Sequence, residues 1–243
     1  MRNIKLILQY NGRNYHGWQI QNNAVTIQQM VQDAIFSLTG EAVHLNGCGR
    51  TDTGVHALGY VCNFFTEAQI PADKFCLALN TRLPDDIVCI LSEEADSAFD
   101  SKKSKAKRYT YVIHNSEFPD VFKNSMVWHF KQPLDVDAMK KASGAFVGEH
   151  DFIGFASSGF TVKTTVRTIY SLDVEKNGDY ITINVCGNGF LYNMVRIITG
   201  TLVFCGIGKI NPDSVTDIIL SKDRTKAGIT APPDGLYLSE VFY

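Results

Sequence analysis

Two stretches of this 243-residue chain spell nearly the same order of elements, and that recurrence limits the architectures open to it. Residues 3–10 alternate like a strand, and Asn11-Gly12 marks a turn. Thr26 reads as the N-cap of a helix in which Ile27, Met30, Val31, Ala34, Ile35 and Leu38 fall at helical spacing, with Gly40 as its stop. Residues 43–48 and 58–65 read as strands, separated by the polar, glycine-flanked loop 49–54. Asp73 is placed to cap a helix carrying Phe75, Leu77, Ala78 and Leu79, and residues 87–91 form another strand. The first hundred residues thus read β-α-β-β-α-β.

The second part opens with a strand over 108–113, with a short one at 126–130 and a helix from Leu134 to Phe146. Residues 168–174 and 180–185 pair as a hairpin turning near Asn177-Gly178. A helix from about Phe190 to Phe204, a short one from Pro212 to Leu220 and a closing strand over 236–242 complete the order, again roughly β-α-β-β-α-β. An α+β chain of two ferredoxin-like halves fits: 1–101 carrying the loop 49–54, and 102–243 carrying the long helix. Their strands would join into one long mixed, mostly antiparallel sheet with a central cleft.

Composition narrows the class. No apolar run approaches the ~18 residues that a membrane span needs, and the N-terminus is too short in its apolar part for a signal segment. Six dispersed cysteines without a CxxC pair read as reduced thiols of a cytoplasmic protein, with Cys62, Cys76, Cys89 and Cys205 as buried fillers. The histidines are equally scattered, so no metal site is expected. The net charge of −2 argues against generic polyanion binding, yet Lys102, Lys103, Lys105, Lys107 and Arg108 form a local basic patch. That patch reads either as a solvated turn between lobes or as a phosphate-contacting surface.

Gly49-Arg50-Thr51-Asp52-Thr53-Gly54 is the segment with the clearest chemistry. Its glycines allow a turn that presents side chains, and an arginine beside a carboxylate favours the charged form. Locally, Asp52 reads equally as an Asx-turn residue bonding its own backbone. The glycines fit neither a dinucleotide fingerprint nor, at Gly206-Ile207-Gly208-Lys209, a phosphate loop. Trp18, Tyr15 and His16 read as RNA-facing, Trp18 equally as a core aromatic, and His56 as an RNA contact or, preferably, a support for the loop. Arg196 interrupts an apolar helical run and needs an anionic partner if buried.

Read in order, Tyr10 to Gln21, Gly49 to Gly59, Lys107 to Tyr111, Gly148 to Phe152, Gly189 to Arg196 and Ala231 to Leu238 closely resemble the tRNA pseudouridine synthase A family from end to end. The resemblance implies the pseudouridine synthase fold and isomerisation of uridine to pseudouridine at positions 38, 39 and 40 of the tRNA anticodon stem-loop. It implies that Asp52 is the nucleophile, that Tyr109 stacks on the target base, that Arg196 pairs with Asp52, and that Leu191 packs beside the base. Arg50 would hold the flipped nucleotide, with His56, Lys107 and Arg108 as further RNA contacts. A cytoplasmic homodimer that needs no cofactor or metal is implied as well. Thr53 stands where the family more often has Ala, and residues 99–104 lack the arginine and aromatic usual there. A non-catalytic RNA-binding module is the alternative. A glycoside hydrolase would need a second carboxylate, for which the chain offers no candidate.

Overall fold

Alternation between apolar and polar side chains builds most of the sheet strands, and amphipathic helices cover them. In the computed structural model, which describes residues 1–159 and 162–243, the strands and helices run β1 (Arg2–Tyr10), α1 (Ile27–Thr39), β2 (Asn46–Gly47), β3 (His56–Thr66), α2 (Phe75–Leu79), β4 (Ile87–Ala95), β5 (Ala106–His114), β6 (Trp128–His129), α3 (Val136–Ser143), β7 (Gly148–Asp151), β8 (Val166–Asn177), β9 (Tyr180–Gly187), α4 (Met194–Gly206), α5 (Val215–Ser221) and β10 (Leu236–Phe242). The class is α+β. The chain divides into two compact units, Met1–Lys105 with Tyr237–Tyr243, and Ala106–Leu236. The division differs from a cut at 101/102 because β10 from Tyr237 onward belongs with the first unit, where it runs parallel to β3 (Tyr237 opposite His56, Leu238 opposite Ala57).

In the first unit β1 is central, antiparallel to β3 on one side and to β4 on the other. β2 pairs antiparallel with β3 farther along, at Asn63 and Cys62, giving the ferredoxin-like order β4-β1-β3-β2. The alternation of β1 puts Ile4, Leu6, Leu8 and Tyr10 in the core. Helix α1 contributes Ile27, Val31, Ala34 and Ile35, each large apolar side chain stabilising the fold by about 1.5–3 kcal/mol on burial. Its first turn is closed by Thr26, whose hydroxyl accepts from the Gln29 amide, and its end by Gly40 at φ 74°. Phe64 on β3 meets Phe75 of α2 edge-on.

The strand expected over 43–48 shrinks to two residues. The Gln28 and Gln32 side-chain amides of α1 donate to the carbonyls of Leu45 and Val43, replacing ladder bonds with side-chain bonds. Asp73 caps nothing: a 3-10 turn at Ala72–Lys74 leads into a five-residue α2 without a side-chain cap, and the Asp73 carboxylate pairs with Lys74.

In the second unit β9 lies between β5 and β8, and β7 adds to the outer edge of β8, all antiparallel; β6 pairs parallel with β5. The β8–β9 hairpin turns at Gly178, φ 58°. Tyr111 and Ile113 of β5, Ile181, Ile183 and Val185 of β9, and Ile197, Ile198, Leu202 and Val203 of α4 are buried. The expected helix over 134–146 is α3, capped by the Asp135 side chain on the Ala138 amide and tightening into a 3-10 turn at Gly144–Phe146. The long helix begins at Met194 instead of Phe190, because Asn193 takes the left-handed conformation (φ 60°, ψ 8°) just before it. No described helix is long and apolar enough to cross a membrane.

Candidate active site

The loop 49–54 is fixed on the first unit mostly by groups outside it. The Trp18 amide donates to the Thr51 carbonyl (3.1 Å), the Gly54 amide to the Tyr15 carbonyl (3.2 Å) and the Val55 amide to the Asp52 carbonyl (3.1 Å). The Thr51 hydroxyl shares a 2.8 Å hydrogen bond with the Tyr10 hydroxyl, in the interior. Tyr60 donates its phenol to the Gly49 carbonyl and is stacked on Trp18, ring centroids 3.9 Å apart. Burial pushes the Tyr60 phenol well above its ordinary range, so it remains a neutral donor at any pH the protein meets.

Two glycines allow the approach. Gly17 has φ 80°, and a Cβ there would lie 2.3 Å from the Thr51 carbonyl oxygen; at Gly12 it would lie 1.9 Å from that of Val55. The Gly12 amide donates to His56 Nδ1 (3.1 Å), which leaves Nε2 as the protonated nitrogen of a neutral ring. The His56 ring also stacks on Tyr237 and is 1% exposed.

On this support Thr51 is buried, Asp52 half-buried, and Arg50 and Thr53 exposed. Trp18 and Tyr15 are core residues, while His16 is exposed. Tyr15 donates to Asp86, and burial followed by that bond raises its phenol pKa. Of the thiols read as fillers, Cys62, Cys89 and Cys205 are buried and Cys76 is half-exposed; burial pushes the Cys89 thiol up to about 12, leaving it protonated and inert.

The second unit carries the other residues. Tyr109 is buried on β5, opposite Val185 of β9, with its ring edge-on to Phe190 at 5.2 Å. Leu191 is buried, its amide pointing at the Met194 sulfur 3.5 Å away. The turn Gly189–Asn193 therefore brings Phe190, Leu191 and the start of α4 together, next to Tyr109. Arg196 is half-buried in the first turn of α4. Its Nε donates to the Ala231 carbonyl (2.6 Å), its Nη1 to Asn193 Oδ1 (2.7 Å), and the Ala231 amide returns a bond to the Arg196 carbonyl (3.1 Å). Tyr111 of β5 donates to the Pro232 carbonyl (2.7 Å); burial raises its phenol pKa, and the Arg196 charge opposes that rise.

Of the basic patch, Lys102, Lys103, Lys105 and Arg108 are exposed and Lys107 is half-buried. Among the described residues no group of three or more His, Cys, Asp or Glu is placed to hold a metal ion. The sequence reading missed Tyr10, Tyr60, Asn193 and the Ala231 carbonyl; Tyr10 and Ala231 meet partners 41 and 35 residues away, and the Asn193 bond depends on a backbone angle that local pattern does not reveal.

A sequence profile described as tRNA pseudouridine synthase matches residues 6–102 and 142–243, most of both units. The chain belongs to the tRNA pseudouridine synthase family. The members of this family are isomerases. The chain is 52% identical, over the full length of both proteins, to tRNA pseudouridine synthase A of Thermoanaerobacter sp. (strain X514) and to that of Acetivibrio thermocellus. It is 50% identical, again over the full length of both, to that of Ruminiclostridium cellulolyticum. Its fold is accordingly the pseudouridine synthase fold.

Proposed function

We propose that this enzyme isomerises uridine to pseudouridine at positions 38, 39 and 40 in the anticodon stem-loop of tRNA, with Asp52 as its nucleophile. The observation that carries the reading is Asp52 itself: a half-buried carboxylate on a loop tied down at Gly49, Thr51, Asp52 and Gly54, in a chain of this family. A carboxylate that must meet one carbon of a bound nucleotide gains from such restraint, because small misplacements cost large factors in rate.

In the reaction the N1–C1′ bond of uridine breaks, the uracil turns while held, C5 bonds to C1′, and the C5 proton is then lost while N1 ends protonated. Nothing is oxidised and no group is added or removed. Asp52 starts the sequence by attack or by taking the 2′ proton. Arg196 supplies the positive charge that keeps a desolvated carboxylate ionised. Tyr109 stacks on the base and serves the late loss of the C5 proton, and Leu191 gives the base an apolar neighbour. Arg50 holds the extruded nucleotide, whose unstacking costs on the order of a few kcal/mol. Lys107 and Arg108 contribute salt-sensitive phosphate contacts. His56, enclosed between Gly12 and Tyr237, serves by holding the loop. The enzyme acts in the cytoplasm as a homodimer.

Unmodified tRNA transcripts incubated with the protein, treated with carbodiimide and read by primer extension should show new stops at positions 38 to 40. Stops elsewhere only, or none, would refute the assignment of position.

A further inference from the structure

Asn193 holds three features at once. It adopts the left-handed backbone conformation, φ 60°, immediately before the first residue of α4. Its Oδ1 accepts from Arg196 Nη1 at 2.7 Å, and its Nδ2 donates to the Ser157 hydroxyl at 2.9 Å. The Ser157 amide in turn donates to the Tyr192 carbonyl (3.1 Å), so the serine is pinned to the same turn. The guanidinium only donates, so the amide oxygen of Asn193 faces the arginine and Nδ2 is left for the Ser157 hydroxyl. With the Ala231 carbonyl on Nε, two edges of one guanidinium rest against two acceptors, and both acceptors are neutral.

Placing Arg196 in the first turn of α4 sets its charge beside the positive end of the helix dipole, which disfavours it there. The two acceptors offset that cost without neutralising the cation. A guanidinium presents its N–H groups in one plane, so fixing two edges fixes the direction in which its charge and donors are offered.

We infer that Asn193 is a positioning residue for the isomerisation: it locks the Arg196 guanidinium in one orientation through a neutral acceptor, so that the full charge serves the catalytic carboxylate. The inference rests on the proposed role of Arg196. Asparagine suits the position because it accepts a hydrogen bond, carries no charge and tolerates positive φ. Alanine would lose the acceptor and strain the backbone. Aspartate keeps the acceptor and the backbone preference, yet sets a competing anion against Arg196.

The test uses full-length protein and unmodified tRNA, measuring kcat, KM, tRNA affinity and Tm for the wild type, N193G, N193D and S157A. N193G keeps the left-handed backbone and removes only the side chain. Its kcat is expected to fall by about ten- to a hundredfold, with KM and tRNA affinity within about threefold of wild type. N193D is expected to match the wild type in Tm and lose at least as much kcat, and S157A to lose about two- to fivefold by releasing the amide. Wild-type kcat in N193D would overturn the inference, since a merely structural role is satisfied by aspartate. An N193G defect confined to Tm or KM would overturn it too. D52N and R196A, assayed in parallel, separate the levels: if both collapse while N193D does not, the inference alone fails. If R196A turns over normally, the role of Arg196 fails first.

Discussion

The loop around Asp52 draws its restraints from rings and backbone distant in sequence. Tyr10 grips Thr51, Tyr60 grips Gly49, and Trp18 supplies both a stacked ring under Tyr60 and an amide to Thr51. The turn that carries Arg196 is restrained at the side chain itself, by Asn193 from three residues before it and by the Ala231 carbonyl. The first arrangement fixes a backbone and lets a short side chain follow; the second fixes the end of a long side chain that would otherwise sample many rotamers. Carboxylate and guanidinium ask for different support because their side chains differ in length. Aspartate has two side-chain torsions to restrain and arginine four, so ordering the arginine costs more entropy.

Substitutions can break this comparison on one side at a time. The largest effect is expected from Gly17→Ala, where a non-glycine residue at φ 80° would also push a Cβ to 2.3 Å from the Thr51 carbonyl. The Asp52 loop must shift, and kcat should fall by about a hundredfold with a lowered Tm. Enzyme assay and thermal melting check both.

Gly200→Ala probes the other side. A Cβ there meets the Ile229 carbonyl at 1.9 Å and would lift the segment that presents Ala231 to Arg196. A loss of about 1–3 kcal/mol in stability is expected, with a tenfold or so drop in kcat at near-constant KM. Tyr10→Phe leaves the Asp52 loop backbone in place and deletes one grip on Thr51. It should cost about 1–2 kcal/mol by denaturant titration and only a few-fold in kcat.

The smallest effect sharpens the comparison as a control at a side chain bonded to none of the groups that restrain Asp52 or Arg196. Asp151 accepts from Lys222 (2.7 Å) and Thr165, and the Lys222 bond, then the Thr165 bond, hold its carboxyl below the usual range. A lowered folded-state pKa means stability fully present above the unfolded carboxylate value and lost as pH falls below that value and through the lower, folded one. D151N should therefore cost under about 1 kcal/mol at neutral pH, with the difference from wild type closing as pH drops below about 4. Activity should stay unchanged throughout.

How much was legible follows from where the partners lie. Helix α1 was readable because its cap, its apolar face and its terminal glycine are all local, and β10 and the β8–β9 hairpin were readable by alternation and Asn177-Gly178. The strand β7 was not, since Gly148-Glu149-His150-Asp151 has no apolar face, and β2 was overstated because α1 side chains take its carbonyls. The late start of α4 was hidden as well, for Asn193 interrupts an otherwise helical pattern through a backbone angle that composition does not encode. Motifs in order identified the family. The supports of its candidate residues, Tyr10 for Thr51 and Ala231 for Arg196, lie 41 and 35 residues away, beyond any local rule.

The most direct test of the account compares wild-type protein with D52N on the same unmodified tRNA, measuring pseudouridine formed at positions 38 to 40 and tRNA affinity together. The wild type should convert its sites, while D52N should bind tRNA with similar affinity and form no detectable product. Conversion by D52N at a rate near wild type would contradict the assignment of Asp52 as the nucleophile.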